Sequence, residues 1–181
     1  MFVWDPMYLV FALPAFLLAL YAQWRVSSAY SKYLNVPNDA GMTGMQAAQY
    51  LLRTAGLRVN IEGAPGTLTD HYDPRKNVLR LSSDVGRSAS VGAVAIVAHE
   101  IGHAVQDAQA FALLRLRSGL VPMVNFTSWL GPILFFLGFL FRADALITLG
   151  LFSFLGAVVF SLVTLPVELD ASRRAMKLLE Q

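Results

Sequence analysis

Of the three histidines in this 181-residue chain, two lie four residues apart with a glutamate directly after the first: His99-Glu100-Ile101-Gly102-His103. Residues four apart on an α-helix sit one turn above each other, so both imidazoles reach a common point while Glu100 projects beside them. Neutral imidazole nitrogen is a preferred ligand of Zn²⁺. An open position on that ion lowers the pKa of a water held there, and a neighbouring carboxylate takes the proton. Random placement of three His and four Glu would give this pattern in about one chain per thousand, so the spacing points to His99 and His103 as metal ligands and Glu100 as a general base. The chain has no cysteine, which excludes disulfides, thiolate catalysis and thiolate ligands. Any metal must be held by histidine and carboxylate.

A catalytic zinc site takes three protein ligands and keeps the fourth position for water. The remaining candidates are His71, the third histidine, and Glu168 and Asp170, both of which follow a long uncharged run. Two such runs separate His103 from Glu168, so a chain crossing a membrane in each would return to the same face. Asp170 lies two residues past Glu168 and would point to another side of a helix, which makes it the weaker of the pair.

The elements that must position these groups follow from composition. Hydrophobic residues make up 56% of the chain and charged residues only 14%, too little polar surface for an ordinary soluble domain. Residues 6–24, 118–141 and 145–167 contain no Asp, Glu, Lys or Arg. As helices they would extend roughly 28, 36 and 34 Å against a hydrocarbon core of about 30 Å, which predicts three transmembrane helices. Residues 1–5 carry no Lys or Arg while Arg25 and Lys32 follow the first run, an order that suits an uncleaved anchor rather than a signal peptide. Arg25, Arg115, Arg117, Arg173 and Arg174 flank the runs, whereas the link between the second and third holds Arg142 with Asp144. The positive-inside rule then places the N-terminus outside and both the central segment and the tail in the cytoplasm. The net charge of +2 is scattered, so no basic stripe argues for nucleic acid.

The expected fold is thus a mainly α membrane protein with three transmembrane helices and a small α+β, zincin-like cytoplasmic domain inserted between the first and second. The segments are 1–24 (N-terminal transmembrane helix), 25–117 (cytoplasmic domain), 118–167 (two transmembrane helices) and 168–181 (cytoplasmic tail). Within 25–117, Thr43 and Gln46 have capping-box spacing ahead of Ala47, Ala48, Leu51 and Leu52, a helical apolar face that should stop near Gly56. Segments 58–62, 67–72 and 78–82, the last two flanking Asp73-Pro74-Arg75-Lys76-Asn77, predict a small antiparallel sheet. Ser88 and Ser90 are candidate caps of the helix that carries the paired histidines. The 78–82 strand is either an exposed edge that adds an extended substrate or an ordinary internal strand.

His99 to His103, a carboxylate just past a later apolar run, and Asp70-His71-Tyr72-Asp73-Pro74 ahead of Val78-Leu79-Arg80-Leu81-Ser82 together resemble the YugP-type membrane zinc metallopeptidases over nearly the whole chain. More distantly the chain is similar to the membrane proteases that process prenylated proteins or maintain membrane quality, whose zinc is bound by His, His and a downstream Glu. The resemblance implies a zinc cofactor, Glu168 as third ligand in the tail segment and Glu100 as base. It also implies hydrolysis of peptide bonds, which the charge bias places at the cytoplasmic face of the cell membrane. Edge addition to the 78–82 strand would suit a polypeptide that is unfolded or membrane-tethered. An Asp commonly lies four residues after the ligand Glu in the distant group; here Ser172 lies there and Asp170 is at plus two. A tetrahedral oxyanion needs a further donor, for which His71, as a catalytic residue, or Tyr72 is available. The alternative for His71 is a turn histidine bonded to Asp70 or Asp73. Arg173 and Arg174 suit lipid phosphates.

Two other readings compete. An intramembrane-cleaving metalloprotease would bury its metal motif in about 20 apolar residues, but the uncharged run 88–98 is short and Asp107, Arg115 and Arg117 follow it. A non-catalytic membrane scaffold would use the metal only as a staple, yet such a site has no need of Glu100.

Overall fold

The structure, a computed structural model, describes residues 6–180. In chain order it comprises α1 (Pro6–Leu34), α2 (Gly44–Thr54), β1 (Asn60–Ala64), β2 (His71–Asp73), β3 (Val78–Ser82), α3 (Ser83–Arg87), α4 (Val91–Ala108), α5 (Ala112–Phe141) and α6 (Asp144–Leu179). The chain is mainly helical with one small sheet, as expected. The expectation of three transmembrane helices is corrected: among the described residues, two helices are long and apolar enough to cross a membrane, α5 and α6. The sheet therefore precedes both spans instead of lying between membrane helices. An uncharged run marks where a helix is apolar, not where it stops. With no Gly or Pro after Trp24, α1 continues through Arg25, Ser27, Ser28, Ser31 and Lys32 to Leu34. There it joins the α+β unit, where Tyr30 and Leu34 pack on the core. The external N-terminus inferred from a first span loses its support with that span, and residues 1–5 of the expected anchor lie outside the described part.

Local signals in the α+β unit are realised closely. Thr43 accepts from the Gln46 N–H while the Gln46 side chain accepts from the Thr43 N–H, and α2 buries Ala47, Ala48, Leu51 and Leu52 before Gly56 turns the chain at φ +68°. Ser90 caps α4 by accepting from the Ala93 N–H at 3.2 Å. Ser88 instead ends α3 and bonds to Ser90. The core is formed by the apolar faces of α2 and α4 with Leu79 and Leu81 of β3, Val85 of α3, and Ala175 and Leu178 of α6.

The sheet has the order β1-β3-β2 and is mixed. β2 and β3 form the expected antiparallel hairpin, with Asn77 in the left-handed conformation that closes its turn. β1 runs parallel to β3, Asn60 opposite Val78, which corrects the all-antiparallel expectation. β3 is the central strand, with Val78, Leu79, Leu81 and Ser82 all buried. A strand covered on both faces reads as a continuous apolar run. Its main-chain groups are shared between two neighbours, so it offers no free edge to a substrate.

α5 and α6 pair as a long antiparallel hairpin around Arg142, whose φ of 52° ends α5. Their backbones approach closely through small residues, as apolar helix pairs do. A Cβ at Gly138 would lie 2.6 Å from the Ile147 nitrogen, and one at Gly150 would lie 2.7 Å from that of Phe135. Large apolar side chains such as Trp129, Phe136, Leu151 and Leu162 point outward and are exposed. At about 1.5 Å per residue, Glu168 lies roughly 36 Å from the start of α6, just past a hydrocarbon layer of about 30 Å. The last turns of α6 return to the α+β unit, where Val167, Ala171, Ala175 and Leu178 are buried.

Candidate metal centre

Helix α4 places His99 and His103 one turn apart, with ring centroids separated by 4.9 Å and planes nearly perpendicular. α6 is admitted at backbone contact by Gly102: a Cβ there would lie 2.5 Å from the Ala171 carbonyl oxygen. This close approach carries Glu168 over the paired rings. Its Oε2 is 3.0 Å from His99 Nε2 and 3.3 Å from His103 Nε2. In a tetrahedral zinc site with bonds of about 2.0–2.1 Å, neighbouring ligand atoms are about 3.3 Å apart, so the spacing fits this ion. The three residues form the metal-sized cluster found among the described residues.

The outer nitrogens of both rings are occupied. The buried Gln106 donates from Nε2 to the Val167 carbonyl and to Asp170 Oδ2, each at 2.8 Å. Two acceptors on that side fix the amide, so its Oε1, 3.0 Å from His103 Nδ1, accepts from the ring N–H. His103 thereby turns Nε2, the nitrogen left to bind a metal, toward Glu168. Ser172 Oγ lies 3.2 Å from His99 Nδ1 and gives the second ring a partner on its outer nitrogen. The other oxygen of Glu168, Oε1, faces Arg117 Nη2 at 3.5 Å. Asp170 is turned to Gln106 and Arg174 and away from the rings. It reaches His103 through the Gln106 amide.

Glu100 is held from the other side by the sheet. Its Oε2 accepts from the Tyr72 main-chain N–H at 3.0 Å. Burial pushes its carboxyl above the ordinary range, against the opposing pull of His103, His99 and the Tyr72 N–H. The Tyr72 hydroxyl points away, donating to Asp107 Oδ2 at 2.9 Å. Burial, together with the Asp107 carboxylate, raises its pKa well above the ordinary value. Tyr72 thus serves the centre through its backbone. His71 is exposed on the wall of the cleft, with Nδ1 2.7 Å from the Thr69 carbonyl and Nε2 3.3 Å from Arg80 Nη1. Its partners are neither Asp70, which accepts from Ser82, nor Asp73, which accepts from Arg75 and Arg80.

A cleft of about 500 Å³ opens over these groups, lined by Tyr72, Arg75, His99, Glu100, Arg117 and Glu168 among others. Sequence reasoning brought out His99, Glu100, His103 and Glu168 but missed three supports. Gln106 carried a usable signal, the one amide in α4, three residues past a ligand histidine. Ser172 stood out only as a departure, and Arg117 read as a membrane-flanking charge.

Paired histidines on one helix, a carboxylate returned by a second and a half-buried glutamate over an open cleft define a metal-dependent hydrolase. The family model described as "Putative neutral zinc metallopeptidase" matches residues 8–181, and the chain belongs to that family. Zinc is accordingly its metal. The chain is 43% identical over 163 residues to "Putative membrane protease YugP" of Bacillus subtilis (strain 168), an overlap of 90% of this chain and 72% of that protein. No solved structure matches it.

Proposed function

We propose that this protein is a membrane-embedded zinc endopeptidase acting at the cytoplasmic membrane face, with His99, His103 and Glu168 as ligands and Glu100 as general base. The observation that carries the reading is the convergence of both Nε2 atoms on Glu168 Oε2 beside the Glu100 carboxylate, which the Tyr72 N–H holds in place. When bound, zinc polarises the scissile carbonyl and acidifies the attacking water. Glu100 takes that proton on Oε1, since Oε2 is tied to the Tyr72 N–H, and passes it to the leaving amine. Its burial supports this role by bringing the carboxyl's proton affinity nearer to the working range. Two groups on the cleft wall are candidates for the oxyanion donor. His71 has both ring nitrogens near other partners, whereas the Arg117 guanidinium already stands beside the proposed ligand, its Nη2 3.5 Å from Glu168 Oε1. We therefore place Arg117 first and His71 second.

Residues 25–117 supply the catalytic unit in this proposal, 118–167 the membrane hairpin, and 168–181 the returning ligand. With α5 and α6 as spans, Arg115, Arg117, Arg173 and Arg174 lie at the end of the hairpin that holds the metal, and Arg142 with Asp144 at the turn. That bias favours the cytoplasmic side. A cleft continuing on both sides of His99 and Glu100 suits internal bonds of a polypeptide, unfolded or membrane-tethered.

Metal analysis of the detergent-purified protein, combined with digestion of an unfolded polypeptide, tests the roles. Glu100→Gln should keep zinc and lose activity by about 10²-fold or more, and Glu168→Ala should lose zinc. A zinc-loaded native chain without hydrolytic activity would instead support a metal-stapled scaffold.

A further inference from the structure

The polar cleft is only half of the space over the metal centre. On the far side of His99 and Glu100 lies a second cavity of about 700 Å³ between α1 and α4. One wall is Ala29, Tyr30 and Tyr33 of α1, the other Ala95 and Ile96 of α4, with Leu68 at the rim. The two cavities share Asp70, His99 and Glu100, so they meet where the reacting bond must lie. Asp70 is already occupied by the Ser82 N–H and hydroxyl. Apart from that carboxylate and the residues of the metal centre, the walls are apolar. The further polar groups are the hydroxyls of Tyr30 and Tyr33, the former buried without a hydrogen-bond partner.

We infer that this groove selects substrates carrying large apolar side chains beside the scissile bond, seated between the C-terminal half of α1 and the face of α4 that precedes His99. The inference rests on the peptidase reading and names the substrate class it acts on. The occupant is a substrate because the groove ends on the proposed ligand and base. A chain seated there also delivers its next residues to the polar side, lined by Asp73, Arg75 and Arg117. The volume exceeds one side chain and suits an apolar pair, being in the range of pockets that hold small organic ligands. It also gives a purpose to the continuation of α1 past Trp24. Without that segment the groove would lack a wall.

The test separates binding from hydrolysis. Zinc-loaded Glu100→Gln protein is titrated by fluorescence anisotropy with a labelled Gly/Ser-rich peptide bearing a central Phe-Leu pair, and with the same peptide bearing Gly-Gly. The Phe-Leu peptide should bind about tenfold or more tightly. Ala95→Trp or Ala29→Trp, each filling the groove from one wall, should collapse that ratio toward one while zinc content is retained. Two variants on different helices guard against a folding defect in either. Equal affinity for the two peptides overturns the inference, whether lipid chains or a second copy fill the groove instead. So does a preference that survives both Trp variants. If the preference holds and the native protein cleaves neither peptide, the groove stands and the peptidase reading falls. If both peptides are cleaved equally, the reverse is true.

Discussion

Replacing Gln106 by Leu removes the side chain that joins His103, a proposed metal ligand, to the helix bringing Glu168. Three hydrogen bonds are lost: from His103 Nδ1, to the Val167 carbonyl and to Asp170. The two neutral ones are worth about 1 kcal/mol each and the one to a carboxylate about 1.5–3 kcal/mol. Leu is close in size and recovers some apolar packing, and Asp170 keeps Arg174, so a net loss of about 2–4 kcal/mol is expected. The effect on zinc is separate. Without an acceptor at Nδ1 the His103 ring is free to turn and the alternative tautomer becomes accessible, which typically weakens metal affinity about 10- to 100-fold, or about 1.4–2.7 kcal/mol. Thermal unfolding in detergent with and without zinc gives the first quantity, and competition against a chromophoric chelator gives the second. A variant that is destabilised but binds zinc within twofold of native would refute the reasoning. Gln106 would then be a packing contact between α4 and α6 and nothing more.

Three further outcomes follow from the same geometry. Ser172→Ala should weaken zinc binding about tenfold by freeing His99 Nδ1, with little change in melting temperature because Ser172 is exposed. Gly102→Ala should force α6 away from α4, since the added carbon meets backbone at 2.5 Å. A loss of about 1–3 kcal/mol is expected, with weaker zinc retention measured by dialysis; normal stability with full zinc would disprove the close approach. Tyr72 has a hydroxyl pKa raised above its ordinary value of 10.0 by burial and Asp107, so the unfolded chain gives up that proton first. Stability should therefore be intact below about pH 10 and fall as pH rises beyond it. In an absorbance titration Tyr72 should ionise only well above its ordinary value of 10.0, and Tyr72→Phe should remove that late step.

What the sequence made legible was local or depended on parity. The capping box of α2, the Ser90 cap and the His99/His103 spacing are fixed within one or two turns of helix, and all three stand in the structure. The return of Glu168 to the paired histidines needed only the two apolar runs between them, so it survives the reduction from three candidate spans to two. Pairing partners and helix ends are different, because they are settled by distant packing. Alternation in 58–62 announced a strand near β1 but not that it would lie parallel to β3. The uncharged run ending at Trp24 did not announce a helix that carries on to Leu34. Two of the three missed supports share one feature: Gln106 is a fully buried amide, and Arg117 is a charge with a buried, unpartnered Nε. Each breaks the local rule for its position, and each lies within reach of a metal ligand. Polar groups buried against local preference concentrate where a fold must hold a reactive centre. The amide three residues past His103 is for that reason a stronger pointer to the α6 contact than the periodicity of either helix.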